Sequence, residues 1–461
     1  MTLVLAAAPG IGRFHLMDRL LRGLESRGIR TEVFCVDAAD REFWIAQGHS
    51  TSFAKPRRPG HENARMRRAP FSEFAAIDCR RRGQEPHGAA LRIAEARLRR
   101  IAPSVFDRFD RDRPNLVQFH QVRTGAHALV QFAAREAGVP IQWTGDGILP
   151  GTMQIDSFGL DGDAPAARRA AWDYREGPIN ENLLRAAIAS VAGNSLPLPL
   201  PRSAVRAPAL LLRAAAAWRG RNEGTAPGFF GGLRAWRNAS KQPEHSARTI
   251  ELPDAPFVAV LLQRSGDARL LLDADDAPSP LQLVGAARRA AAFLDPRAEV
   301  VAVLPREGLS QRELAPLRNL DDVRLELSHA TAAACMTALA VVTVNAPLAG
   351  IALLADTPVL HIGRAVYGTP GVALATTLED LAPTLRTSAR DQNRELRRRC
   401  LTRLLAEGHL WCLPDDPDHN GINGWILQIQ HAIAEKSPYG ADLNYRVGPV
   451  WPLASEGLPS S

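Results

Sequence analysis

At 461 residues the chain is longer than one hydrophobic core usually serves, so it reads as two domains of roughly 150 to 200 residues each. A composition of 46% hydrophobic and 23% charged residues is that of a folded, water-soluble protein and excludes a disordered or fibrous one. The net charge of +7 admits an anionic partner, but the runs Arg67-Arg68, Arg80 to Arg82 and Arg397 to Arg399 are scattered and not interleaved with aromatics, so no nucleic-acid partner is expected.

The chain opens as strand, glycine turn, helix and strand. Thr2 to Ala8 is apolar, Pro9-Gly10-Ile11-Gly12 turns, a helix runs to about Arg27, and Thr31 to Val36 is the next strand. The opening run lacks a basic leader and breaks after a strand's length, so it reads as a first strand and not a signal peptide. Asn115 to His120 is a further strand, Ala126 to Ala137 an apolar-striped helix ended by Gly138, and Val139 to Trp143 a short strand. From Ala167 to about Ser246 the sequence turns to Ala-, Arg- and Leu-rich helix punctuated by proline and glycine, the mark of an interdomain segment.

A second alternating series begins at Phe257 to Leu262. It continues with a helix over Pro280 to Leu294, the strand Glu299 to Leu304, a helix around Thr331 to Leu339, the strand Val341 to Val344, a helix from about Pro347 to Ala355, and Val359 to Ile362. The expected fold class is α/β, with two Rossmann-like doubly wound domains facing a cleft. The expected divisions are an acceptor domain over 1–166, a helical interdomain segment over 167–250, a nucleotide-sugar domain over 251–410, and a C-terminal helix and tail over 411–461. Five scattered cysteines make neither a disulfide framework nor a paired zinc motif, so a reducing cytoplasm is the expected compartment. No stretch reaches the roughly 20 apolar residues of a membrane span.

Open α/β sheets bind ligands at strand ends, and several loops there are candidates. Gly10 and Gly12 let the backbone approach a ligand, although a tight strand-to-helix turn needs glycine anyway, and no third glycine completes a dinucleotide fingerprint. Gly145-Asp146-Gly147 presents an acid on a sharp turn, suited to general acid/base or nucleophilic work, unless Asp146 only stabilises its own turn. Gln263 to Ala268 follows the second domain's first strand, where polar groups can face a nucleotide or cap a helix. Asn345 can cap the helix after it and turn free amides toward an anion, with Arg364 and Tyr367 in a glycine-rich loop alongside. His361 alone is more often structural. There is no serine elbow, P-loop lysine or paired histidine ligand set, and Asp415 to His419 reads as a solvated loop, so neither a metal nor a bound cofactor is expected.

Together these loops resemble the bacterial capsular polysaccharide synthesis family, whose characterised members are Kdo transferases of GT-B-like architecture that use CMP-Kdo. The similarity spreads from Met1 to about Ile433 and is dense in a few blocks. Phe43-Trp44 after Asp40 is similar to the family's "GD…FW" block, and Val117 to Arg123 with His127 to its strand-then-Arg-and-His segment. Asp146 to Asp156 with Gly159 resembles its acid-x-G-x-L-P motif. Leu262-Gln263 with Asp267 resembles an "LQ…D" loop, while Val341 to Asn345, Thr357 to Val359 and Gly363 to Gly368 resemble "vvTvNS…G.PV…G.aiY".

The resemblance implies a capsule or surface-polysaccharide glycosyltransferase that moves an acidic, Kdo-like sugar from a CMP-activated donor to a lipid-linked or oligosaccharide acceptor. It would be cytoplasmic, with room for peripheral attachment to the inner membrane and for other capsule assembly proteins as partners. It implies Asp146 as the catalytic residue and Gln263, Asp267, Arg306, Asn345, Arg364, Tyr367 and Gly368 as donor-binding, with Gly10, Gly12, Arg123, His127 and Asp156 toward the acceptor or cleft. Two positions depart from the family pattern. Leu304-Pro305 stands where the family has a His-Pro pair on the donor phosphate, and Ala346 where it has Ser or Thr. A leucine donates no hydrogen bond, so stabilisation of the leaving CMP falls to Arg306 or Arg364. The departures keep a second reading open, a non-catalytic assembly or export component that binds glycan or a partner enzyme, and a third, an epimerase-like relative.

Overall fold

The computed structural model describes residues 2–7, 14–57, 64–82, 84–120, 124–157, 159–193, 252–274, 277–305, 308–320, 323–326, 331–388, 393–411 and 420–434. The chain divides into two compact units. The described part of the first is 2–145 and 420–434, and that of the second is 146–193 and 252–411.

The first unit contains β1 (Leu3–Ala7), α1 (Phe14–Glu25), β2 (Arg30–Cys35), α2 (Ala38–Ala46), β3 (Thr51–Phe53), α3 (Ala64–Arg68), α4 (Phe71–Arg81), α5 (Gly88–Asp112), β4 (Leu116–His120), α6 (Gly125–Glu136) and β5 (Ile141–Asp146). The strands lie in the order β5-β4-β1-β2-β3, and every neighbouring pair is parallel. All five residues of β1 and of β4 are buried, as strands covered on both faces require. Helix α6 starts where Thr124 caps it, its hydroxyl accepting the His127 N–H.

The second unit opens with β6 (Thr152–Asp156), the short helices α7 (Pro165–Arg168) and α8 (Glu181–Gly193), and 3₁₀ turns at Asp161–Asp163 and Ala171–Tyr174. It continues with β7 (Phe257–Leu261), α9 (Ala268–Asp273), α10 (Pro280–Leu294), β8 (Glu299–Val303), α11 (Gln311–Arg318), β9 (Val323–Glu326), α12 (Thr331–Thr337), β10 (Ala340–Thr343), α13 (Ala349–Leu354), β11 (Val359–His361), β12 (Leu374–Ala375), α14 (Leu381–Ser388), α15 (Arg394–Gly408) and β13 (His409–Trp411). Six of its strands form a parallel sheet in the order β12-β11-β10-β7-β8-β9. In chain order within that sheet, its strands lie 3-2-1-4-5-6, the doubly wound Rossmann order, and the first unit repeats the 3-2-1-4-5 part of it. The chain is therefore α/β with two Rossmann-type domains. One face of the second sheet packs Ala259, Leu261, Val303 and Val341 against α8, α12, α13 and α15. The other packs Val258, Val260, Ala302 and Val342 against α10, α11 and α14.

The ends of these helices are written locally. Helix α10 begins at Pro280 behind a capping box in which the Ser279 hydroxyl accepts the Gln282 N–H and the Gln282 side chain accepts the Ser279 N–H. Ser310 and Glu313 repeat the device at α11. The chain then leaves the second unit, and α16 (Asn420–Ala434) packs in the first, against α1. Among the described residues no helix is long and apolar enough to cross a membrane, and the four described cysteines, Cys35, Cys79, Cys335 and Cys400, are buried and unbridged. Much of the sequence-predicted interdomain helix, with Leu196 to Pro208, lies outside the described residues.

Candidate functional site

Asp146 ends β5 and is the first residue of the second unit. The turn after it is closed on itself. Gly147 N–H donates to the Thr152 carbonyl at 3.0 Å, and the Thr152 hydroxyl donates to the Leu149 carbonyl at 2.8 Å. A Cβ on residue 147 would lie 2.2 Å from Thr152 Oγ1 and 2.9 Å from its carbonyl carbon, so only glycine passes there. Ile148 N–H donates to His409 Nε2 at 3.2 Å, while His409 Nδ1 stands 2.8 Å from the Leu404 carbonyl. A carbonyl only accepts, so the ring's proton is on Nδ1 and Nε2 is the acceptor. Burial pushes the His409 pKa down to about 4, which keeps the ring neutral. His409 is carried by β13, which pairs antiparallel with β6 with His409 opposite Gln154.

Arg269, on the first turn of α9, is the hub of the surrounding charges. Its Nε lies 3.1 Å from both carboxylate oxygens of Asp161, its Nη2 lies 3.5 Å from Asp146 Oδ2, and its Nη1 lies 3.8 Å from Asp267 Oδ2. The Arg269 side chain is 8% exposed and that of Asp146 38%, so the cation is inside and the carboxylate reaches solvent. Burial works against the Arg269 charge, but Asp161 and Asp267 outweigh it and hold its pKa above the ordinary value. Asp161 turns inward through a left-handed backbone, φ 51°, and its N–H is held by the Gln154 side chain at 3.3 Å. Asp156 accepts the Gly159 N–H at 3.2 Å and so shapes the loop that delivers Asp161.

A second set of charges adjoins the first. Arg364 reaches Asp163 Oδ1 and Asp273 Oδ1, each at 3.0 Å, and donates to the Leu272 carbonyl. A Cβ on Gly162 would stand 2.4 Å from Asp273 Oδ1, so that glycine lets the 161–163 turn close over the carboxylate. Burial, reinforced by Asp161 and opposed by Arg364, pushes the Asp273 pKa up to about 7.

The strand-end loops of β7, β10 and β11 meet beside this cluster. Gln263 Nε2 donates to Asn345 Oδ1 at 2.8 Å, and Asn345 N–H donates to Gln263 Oε1 at 3.1 Å. Asn345 Nδ2 donates to the carbonyls of Arg269 at 3.1 Å and Arg364 at 3.3 Å. The buried carboxamide of Asn345 thus spends both amide protons on the backbone segments that carry the two arginines. It does not cap α13, which starts at Ala349 without a side-chain cap, whereas Asp267 does cap α9 by accepting the Arg269 N–H at 2.9 Å. Tyr367, buried, donates its hydroxyl to the Ala346 carbonyl at 2.8 Å, and burial raises its pKa. His361 donates from Nδ1 to the Gly363 carbonyl at 2.7 Å, with Gly368 close against the ring. Leu304, at the end of β8, is buried in the apolar core.

The sequence-predicted residues Asp146, Gln263, Asp267, Asn345 and Arg364 are thus brought together through Arg269, and Asp156 supports them from beneath. Tyr367 and Gly368 belong to the adjoining loop. His127 is in the first unit, where its Nδ1 lies 2.6 Å from the Thr124 hydroxyl at the start of α6. Gly10, Gly12, Arg123 and Arg306 lie outside the described residues. Sequence reasoning missed Arg269, Asp161, Asp273 and His409. Arg269 had one local signal, its place two residues after Asp267 at the start of a helix; the other three had none. Among the described residues no group of three His, Cys, Asp or Glu side chains is disposed to hold a metal ion.

No protein-family model and no curated protein sequence matches the chain. Among solved structures, it is similar to the spinosyn rhamnosyltransferase SpnG at 13% identity, covering 87% of this chain and 95% of that one with a TM-score of 0.35. It is similar to S. aureus MnaA in a co-structure with UDP at 11% identity, covering 94% and 97% with a TM-score of 0.35. It is also similar to the beta Kdo 2,4 transferase KpsC of Thermosulfurimonas dismutans at 14% identity, covering 70% and 88% with a TM-score of 0.36. Overlaps this loose carry no argument; the architecture rests on the strand order.

Proposed function

We propose that the protein is a glycosyltransferase of a capsule or related surface-polysaccharide pathway, moving an acidic, Kdo-like sugar from a CMP-activated donor to a lipid-linked or oligosaccharide acceptor. The observation that carries this reading is the Asp146 carboxylate, reaching solvent from a clamped Gly-Asp-Gly turn with the buried Arg269 cation 3.5 Å away. The turn is also the block that most resembles the Kdo transferase family, from Asp146 to Asp156. In this reading the bond between the anomeric carbon and the CMP phosphate oxygen breaks, and CMP leaves with the electron pair. The acceptor oxygen bonds to that carbon and its proton passes to Asp146, or Asp146 attacks the carbon first and is displaced. Arg364, 54% exposed, is the cation available to the donor phosphate, with Gln263, Asp267 and Asn345 holding the loops around it.

A second reading, a non-catalytic component that keeps the fold and binds glycan or a partner enzyme, is favoured by two observations. The polar groups of Asn345 and Tyr367 are engaged by the chain's own backbone, and a buried Leu304 stands where the resembled family has a phosphate-binding histidine. Incubating the purified protein with CMP-Kdo and a lipid-linked acceptor separates the two. Transfer is expected, falling by about 10² to 10⁴ in Asp146→Asn. Absence of transfer together with absence of a CMP-induced thermal shift sinks the enzyme reading.

A further inference from the structure

The second unit has a surface cavity of about 540 Å³ that shares no residue with the Asp146–Arg269 cluster. That is the size of an ordinary small-ligand pocket. It is formed where the 3₁₀ turn Ala171–Tyr174 and the start of α15 meet the loop at Gly371, and its polar lining includes Arg175, Asn393, Glu395 and Arg399. The charges do not cancel. Arg399 Nη2 is paired with Glu395 at 2.5 Å, while its Nε is buried without a hydrogen-bond partner among the described residues. Arg175 is exposed and its guanidinium has no carboxylate partner among the described residues. Two guanidiniums against one carboxylate leave a net positive cavity with donors to spare. On the same 3₁₀ turn Trp172 is 69% exposed, an indole held at the surface where a large apolar side chain gains nothing from burial. A cationic cavity lined from a turn that also carries an exposed indole suits a ring that is apolar on its C–H face and carries a carboxylate on its edge.

We propose that this cavity is a binding site for an acidic saccharide, its carboxylate on Arg175 and Arg399 and its ring against Trp172. The inference deepens the proposed function by giving the growing anionic glycan a holding site separate from the reacting centre. It rests on that reading for the glycan's role, but not for its binding. Titration calorimetry with trigalacturonate, maltotriose and inorganic phosphate as probes tests it on the full chain. Trigalacturonate is expected to bind, to weaken by about tenfold in Arg175→Gln and again in Trp172→Ala, and to weaken as salt is raised. Both substituted side chains are exposed, so the variants should keep the wild-type melting temperature. Maltotriose should bind at least tenfold more weakly, and phosphate should not displace the saccharide. Asp146→Asn should bind trigalacturonate like wild type, so a loss of transfer with retained binding faults the catalytic reading alone. No trigalacturonate binding, equal binding of maltotriose, displacement by phosphate, or full affinity in Arg175→Gln overturns the site.

Discussion

Arg269 shows why a buried charge survives in this protein. Removing its carboxylate partners would leave a guanidinium without water or counter-charge, and the two oxygens of Asp161 at 3.1 Å supply the main compensation. The accounting is less favourable for Asp273, whose carboxyl is buried near Asp161 and balanced only by the half-exposed Arg364. Its pKa stands at about 7 in the fold against 3.8 for the free side chain. Between those two values the folded chain holds a proton that the unfolded chain has released, so stability falls as pH rises through that window. Above about 7 the full cost of an ionised Asp273 is present. Asp273→Asn, which cannot ionise, should therefore raise the melting temperature at pH 8, and its advantage should shrink as pH falls toward 5. Parallel thermal scans of the two proteins from pH 5 to pH 8 measure that difference. A constant offset between them contradicts the assignment. No pattern in the sequence marks Asp273, because its pKa comes first from burial in the fold and then from charges distant in the chain, Asp161 and Asp163 raising it and Arg364 lowering it.

At the scale of elements, the turn that presents Asp146 depends on a three-residue strand, β13, whose His409 accepts the Ile148 N–H. Replacing that ring with one of similar bulk and no acceptor leaves a buried N–H unpaired, at a cost of about 1 to 3 kcal/mol. His409→Phe should accordingly speed amide exchange at Ile148 and Leu149 far more than in β7 or β10, and under the proposed function lower the transfer rate more than the donor KM. Exchange unchanged at Ile148 would show that the clamp is not needed. Elements of this kind were the least legible ones. Helix α10 was readable to its ends, Pro280 and Leu294, because Ser279, Pro280 and Gln282 write its start locally. Strands β7, β8, β10 and β11 were readable to within a residue or so because both their faces are buried. Strands β6 and β13 define each other across some 250 residues, so nothing beside His409 announces the pairing. The candidate site divides the same way. Asp146, Asp267 and Asn345 sit on strand-end loops that sequence can place, whereas Arg269 becomes the hub only once those loops converge.

For the whole molecule, the chain's path matters more than any single contact. Among the described residues it leaves the first unit at residue 145, builds the second, and returns with α16 to pack against α1. The return is anchored by Trp425, fully buried, whose indole N–H donates to the Gln142 side chain at 2.8 Å, and by Arg27 donating to Asn423 at 3.1 Å. Ile422, Ile426 and Ile429 are buried with it, so the first unit has no complete core until the last described helix has been made. Gln142 lies within β5, near its start, and a carboxamide there is tolerated in the interior because the indole satisfies it. Trp425→Ala both opens a cavity and strips Gln142 of its donor, which should cost the first unit about 3 to 5 kcal/mol. The protein carrying the substitution should therefore melt at a lower temperature than the wild type. Calorimetry reads this directly: a melting temperature unmoved by the substitution would mean that the first unit's core is complete without the Trp425 indole.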